Sequence, residues 1–352
     1  MNTADRPGAL FRGSHSSLPV TLPPGPPWRR FGVDRPKRPP YVMRPQDIDI
    51  VNTSLHLRRP LLVTGYPGVG KSSLAYAVAD DLGLGDVLHW PVNSRSVLGD
   101  ALYRYDAVAR LRDATLNREK GTATPPVEQY VTLGPLGTAL AASPGRPRVL
   151  LIDELDKGDI DLPNDLLTVF EEGAFEMPEL SRQSSATGQQ HTRVSVTRTA
   201  RRISPDTRGD NSNDTAGPSS TADEEHDDSG DVFDGWVHCR EFPVVIITSN
   251  GERDFPPAFL RRCVRLFLDD PDEDHLTSVV EAQFARDLAA ADEETMAAVQ
   301  RLIATFSQAG QGGRLATDQL LNAIHLRLSH VPLDHHVLEA VLRPLDDADS
   351  LP

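Results

Sequence analysis

Four lysines, at positions 37, 71, 120 and 157, are all this 352-residue chain uses among its 36 basic side chains. Cysteine is scarcer still. Cys239 and Cys263 are the only two and stand outside any C-x-x-C spacing, which excludes both a disulfide framework and a cysteine-rich zinc cluster. Few thiols without a pairing pattern fit a reducing compartment, and a cytoplasmic location is expected. No apolar run reaches the roughly 18 residues that a spanning helix requires, so no membrane partner is expected. Trp28-Arg29-Arg30-Phe31 is not followed by an apolar segment and carries no twin-arginine signal. Positive charge is short as well. Fifty-one acidic against 36 basic residues leave a net charge of -15. This excludes a protein whose whole surface clamps nucleic acid, and nucleic acid is not an expected partner.

The length suffices for about two domains, and the composition divides it unevenly. Residues 1–41 form an arm whose first 40 positions hold nine prolines and seven basic residues against two acidic ones. It lacks apolar periodicity and is expected to be disordered. A second polar stretch, about 181–235, reads as a low-complexity insertion. Five arginines and no acid occupy 182–202, and nine acids face Arg208 alone in 206–231. Between these stretches, Pro60–Thr64, Val87–Trp90, Val149–Ile152 and Val244–Thr248 are short apolar runs, the pattern of parallel strands buried on both faces. Leu74–Leu84 and Leu162–Glu172 read as helices. Beyond Pro271 the apolar spacing is helical. The expected architecture is an α/β domain over 42–271, a parallel sheet flanked by helices, then a small all-helical domain over 272–345 and a tail at 346–352.

The chemistry begins where the first strand ends. Gly65-Tyr66-Pro67-Gly68-Val69-Gly70-Lys71-Ser72-Ser73 matches G-x-x-x-x-G-K-[ST]. In that loop, glycines let backbone N–H groups curl around phosphate oxygens, the lysine reaches the β and γ phosphates, and the first hydroxyl holds magnesium. A chain that otherwise uses arginine keeps a lysine here, where a compact ammonium fits and a planar guanidinium does not. Val149–Ile152 leads into Asp153-Glu154. The first acid of such a pair can hold Mg²⁺ and the second can polarise a water, although acids also simply end strands at a surface. Asn250, after the run ending in Thr248-Ser249, can orient that water or merely form a turn before Gly251. Arg261-Arg262 can stabilise a γ phosphate bound to a neighbouring subunit, or be a solvated basic pair.

Taken together and in this order, Gly65–Ser73, Leu151–Glu154, Ser249-Asn250 and Arg261-Arg262, with a helical region behind them, resemble the AAA+ ATPases, and more narrowly their MoxR-type, dynein-related branch. The resemblance spans roughly residues 42–343 apart from the insertion. It implies a P-loop NTPase fold with a helical lid, and ATP with Mg²⁺ as cofactors. Lys71 and Ser72 would make the Walker A contacts, Asp153 and Glu154 the Walker B pair, and Asn250 sensor 1. Arg262, with Arg261 next in line, would be the arginine finger. A homo-oligomeric ring, a hexamer, is implied, with a client protein remodelled at the expense of ATP, a von Willebrand A domain protein being one such client. The 82 positions from Lys71 to Asp153 leave room for an extra hairpin between Asp106 and Gly134, and the stretch 181–235 falls where a second is expected. Ser94–Tyr105 is a candidate pore-facing segment and equally an ordinary loop and helix start. The sensor-2 position aligns with Asp318, leaving Arg314 as the nearest substitute. A nucleotide switch without turnover and a DNA-acting, restriction-associated motor are the alternatives.

Overall fold

A computed structural model describes residues 22–23, 25–30, 40–123, 125–142, 145–197, 229–309 and 315–342. Arg314, the tail 346–352 and most of the N-terminal arm lie outside the described residues. The rest forms two units. The larger comprises 45–64 and 71–267. The smaller gathers the remainder, including the short segment 65–70.

The larger unit is α/β. Its strands are β1 (Leu61–Gly65, whose last residue enters the smaller unit), β2 (Leu88–Pro91), β3 (Tyr103–Tyr105), β4 (Val131–Leu133), β5 (Val149–Asp153), β6 (Ala174–Glu176), β7 (His191–Ser195), β8 (Ser229–Phe233), β9 (Trp236–His238), β10 (Val244–Ser249) and β11 (Val264–Leu268, whose last residue also enters the smaller unit). Among the described residues eight α-helices accompany them: α1 (Pro45–Leu57), α2 (Lys71–Asp81), α3 (Leu98–Leu102), α4 (Ala107–Lys120), α5 (Pro135–Leu140), α6 (Leu162–Glu172), α7 (Pro178–Thr187) and α8 (Pro257–Leu260).

Five strands form a sheet in the order β11-β1-β10-β5-β2. The pairs β1–β10, β10–β5 and β5–β2 are parallel, with Leu61 opposite Ile246, Val245 opposite Leu150 and Trp90 opposite Ile152. All six residues of β10 are buried, as are the first four of β5, which is why both strands read as unbroken apolar runs. The edge strand β11 was not among the expected strands. Its burial alternates through Val-Arg-Leu-Phe-Leu, with Arg265 and Phe267 outward and Leu266 and Leu268 inward. Such an edge has a half-polar pattern that merges with the preceding arginine pair.

The second sheet corrects the reading of two segments. Six strands run in the order β3-β4-β7-β8-β9-β6. The extra element expected between Asp106 and Gly134 is an antiparallel β3–β4 pair lying at the segment's two ends, with α4 between its strands. Ser94–Tyr105 accordingly contains α3 and β3. The stretch 181–235 is not uniformly low in structure: it contains most of α7, then β7 and β8, while 198–228 lie outside the described residues. These strands escape notice because each needs only one buried side chain in two. Val194, Val232 and Val237 point into the core, whereas His191, Arg193, Asp231, Phe233, Trp236 and His238 are exposed. Asp234-Gly235 closes β8 onto β9 with positive φ at both residues, the geometry of a two-residue hairpin turn. One continuous core, including Leu62, Leu150, Ile152, Ile247, Leu133, Phe175, Val194 and Val232, serves both sheets.

In the smaller unit α9 (Glu273–Ala289), α10 (Glu293–Ala309), α11 (Thr317–Leu328) and α12 (His335–Val341) are all helical, and Leu276, Val280, Phe284, Ile303, Phe306, Leu320 and Ile324 fill their common core. The arm is not wholly without structure. Pro27–Arg29 forms a 3₁₀ turn, and Trp28 packs edge-on to Phe284 and to His325, with ring centroids 6.0 Å away in each case. One large aromatic supplies the apolar area that periodicity did not show. Among the described residues, no helix is long and apolar enough to cross a membrane.

Candidate functional site at the carboxyl ends of the parallel strands

The loop between β1 and α2 needs glycine. Gly65, Gly68 and Gly70 have φ of +148°, +83° and +93°. Within the smaller unit a Cβ on Gly65 would stand 2.6 Å from the Leu268 carbonyl oxygen, and one on Gly68 2.2 Å from the Ala316 Cβ. The Tyr41 hydroxyl donates to the Gly70 carbonyl at 3.2 Å. Pro67 and Gly68 are exposed, while Tyr66 and Val69 are half-buried.

Helix α2 opens directly at Lys71, which is only 8% exposed. Burial pushes its ammonium below the usual lysine range, and Asp156, Asp153 and Glu154 oppose that shift. Ser72 faces the end of β5, where its hydroxyl donates to Asp153 Oδ1 at 2.6 Å. Ser73 is exposed in the same first turn. Asp153 also accepts from the Thr248 hydroxyl, at 2.6 Å on Oδ1, and lies 3.2 Å from His89 Nε2 through Oδ2. Burial disfavours its charge, but the bonds from His89, Ser72 and Thr248 outweigh that and hold the carboxyl down at about 2.

Strand order explains this convergence. Strand β10 lies between β1 and β5, with Ser249 opposite Thr64 and Ile247 opposite Ile152, so Thr248 and Asn250 reach the end of β5. Glu154 follows in the left-handed region, at φ +60°, ψ +48°. A non-glycine residue there costs roughly 1–2 kcal/mol. Two bonds hold it: its N–H donates to Thr248 Oγ1 at 2.9 Å, and its carbonyl accepts from the Lys157 N–H at 3.0 Å. Its carboxylate is half-exposed and pairs with Lys157 Nζ at 2.9 Å. The hydrogen bond to Glu154 raises the Lys157 pKa.

Lys71, Ser72, Asp153, Glu154 and Asn250 are thus brought to one end of one sheet. The arginine pair is placed differently. Arg262 bonds Glu171 of α6 through Nε and the Ala258 carbonyl through Nη1, whereas Arg261 is exposed. Four polar residues of the site went unread in the sequence: His89, Thr248, Asp156 and Lys157. For the first two the signal is a polar residue inside a strand of apolar neighbours, where burial, complete for Thr248 and partial for His89, favours a partner.

The donor set suits a hard cation held partly by a ligand. Ser72 and Asp153 present oxygen atoms only, and among the described residues no group of three or more His, Cys, Asp or Glu is disposed to hold a metal by itself. Fold and site together define an α/β protein with a polar, acid-bearing centre at the carboxyl ends of a five-stranded parallel sheet. Compared with protein-family models and with curated proteins, the chain matches none.

Proposed function

We propose that the protein is a Mg²⁺-dependent P-loop ATPase, an AAA+ module of the MoxR type, that converts ATP and water to ADP and phosphate to remodel a partner protein. The observation carrying this reading is the 2.6 Å bond between the first hydroxyl after the loop lysine and the first acid of the Asp153-Glu154 pair. It joins two sequence motifs 81 positions apart, and the half-exposed second acid stands next to it. The strand order supports it too, since it puts Asn250 beside the acids.

In this reading Ser72 and Asp153 hold the magnesium, Lys71 and the backbone N–H groups of the glycine loop hold the phosphates, and the bound Mg·ATP supplies the phosphoryl group and its charge neutralisation. Glu154 orients a water and takes up its proton at a carboxylate oxygen. Swinging away from Lys157 frees that oxygen. Asn250 fixes the water's other side. Thr248 and His89 keep Asp153 ionised and oriented. The helical unit acts as the lid, and a homo-oligomeric ring lets one subunit's arginine reach its neighbour's nucleotide. With Arg262 bound to Glu171, the exposed Arg261 is the freer finger.

Steady-state phosphate release from the purified protein tests this. Glu154→Gln is expected to lower it by about a hundredfold or more while ATP binding persists. Lys71→Ala should lose binding, and chelation of Mg²⁺ should stop turnover. Equal, negligible rates from the parent and Glu154→Gln would leave a nucleotide switch without turnover.

A further inference from the structure

We propose that Asp156, which neither motif includes, is a positioning residue that sets where Asn250 stands relative to Glu154. The proposal rests on the ATPase reading for its kinetic consequence, but the placement itself stands on geometry. Asp156 lies on the 3₁₀ turn Leu155–Lys157 immediately after β5 and is 3% exposed. Its Oδ2 accepts the backbone N–H of Asn250 at 2.9 Å and that of Glu252 at 3.0 Å. Gly251 between them has φ +77°. Two N–H groups flanking a left-handed residue converge as an anion-binding nest, and this nest is filled by a side chain of the chain itself.

A buried carboxylate is costly unless paired, so its presence here asks for a reason. Asp156 Oδ1 is buried with no hydrogen-bond partner, and the charge acts on Lys71. Between Asp156 and Glu154 the chain has only Leu155, a buried anchor. The turn carrying the proton acceptor is therefore tied at Asn250 itself through one carboxylate oxygen, between two flanking ties, Glu154 N–H to Thr248 Oγ1 at 2.9 Å and Arg253 Nη1 to the Gly158 carbonyl at 2.7 Å. The loop's other internal bond, Gly251 N–H to Ser249 Oγ at 3.0 Å, shapes the turn without reaching β5. Removing the carboxylate leaves the loop joined to the turn at Thr248 and Arg253 but releases the Asn250 and Glu252 amides between them, and misplacement of such a group by about 1 Å costs on the order of a hundredfold in rate.

The experiment compares Asp156→Ala and Asp156→Asn with the parent protein by hydrogen exchange at the Asn250 and Glu252 amides, by kcat against KM, and by the effect of a second change, Asn250→Ala. Asp156→Ala should expose both amides to exchange and lower kcat by about tenfold or more, with KM within about threefold. In the Asn250→Ala background the same substitution should lower kcat little further, because it acts through that side chain. Asp156→Asn is isosteric and keeps an acceptor oxygen, so it should retain amide protection and kcat within about threefold. It also keeps the question answerable should Asp156→Ala not fold. Unchanged exchange in Asp156→Ala, or a full kcat loss in a protected Asp156→Asn, would overturn the proposal. So would kcat losses that simply multiply with Asn250→Ala. If the parent shows no turnover, the ATPase reading fails while the amide exchange still decides the placement.

Discussion

The two sheets of the larger unit share a core but carry different burdens. The residues of the candidate centre gather at the strand ends of the five-stranded sheet, on β5, on β10 and on the turn and helix that follow its strands, and the sheet's inner strands are buried on both faces. The six-stranded sheet holds none of them and keeps one face in water, where Phe233 is 52% and Trp236 36% exposed. Its hairpin turn is nonetheless rigidly tied: Ser184 Oγ donates to Asp234 Oδ1 at 2.6 Å, and Met177 N–H donates to the Gly235 carbonyl at 2.7 Å. Full burial gives the first sheet its stability and forces any polar residue within it to find a partner. One-sided burial leaves the second sheet an outer face whose residues can change without disturbing the fold.

That contrast can be broken at four points. Leu151→Ala, in the middle of β5 and fully buried, is expected to cost about 2–5 kcal/mol of unfolding free energy by urea denaturation. Asp153→Asn removes a carboxyl whose pKa is depressed in the folded state, from 3.8 to about 2. Its stabilisation is present above about pH 4 and disappears as the pH falls toward 2. The parent should therefore exceed the variant by on the order of 2 kcal/mol at pH 7, with the gap narrowing by pH 3.

Gly235→Ala tests the second sheet. Its φ is +81°, and a Cβ would meet the Ser181 backbone N at 2.3 Å. About 1–2 kcal/mol should be lost, with phosphate release per folded molecule unchanged. Phe233→Ser, on the exposed face, should alter stability by no more than about 0.5 kcal/mol. An effect on turnover from either of the last two would show that the sheets are coupled, and the division of labour would have to be abandoned.

How far each region was legible in the sequence follows the same physics. Strands β1, β5 and β10 stood out because two-sided burial writes a continuous apolar word, β2 because buried Leu88 and Trp90 follow the buried Val87, and α6 was bounded correctly because its apolar residues recur at helical spacing before Gly173. The glycine loop, Asp153-Glu154 and Asn250 were legible because their residue types are dictated by local chemistry. Thr248 and His89 were not, because their role depends on which strand becomes whose neighbour. Strands β7 and β8 hid in a polar stretch, and β6 and β9 are too short to show, since a three-residue strand such as Trp236–His238 contributes one buried valine. The partnership of Arg262 with Glu171 was beyond any local rule, the two residues being 91 positions apart.

Trp28 against the helical core has a practical consequence, because the other two indoles fall elsewhere. Trp90 is almost wholly buried in the five-stranded sheet, and Trp236 stands on the outer face of the six-stranded one. The molecule thus carries one natural fluorophore for each of its three structural regions. Replacing two of the three with phenylalanine at a time would yield proteins whose emission reports separately on each region, without any attached dye.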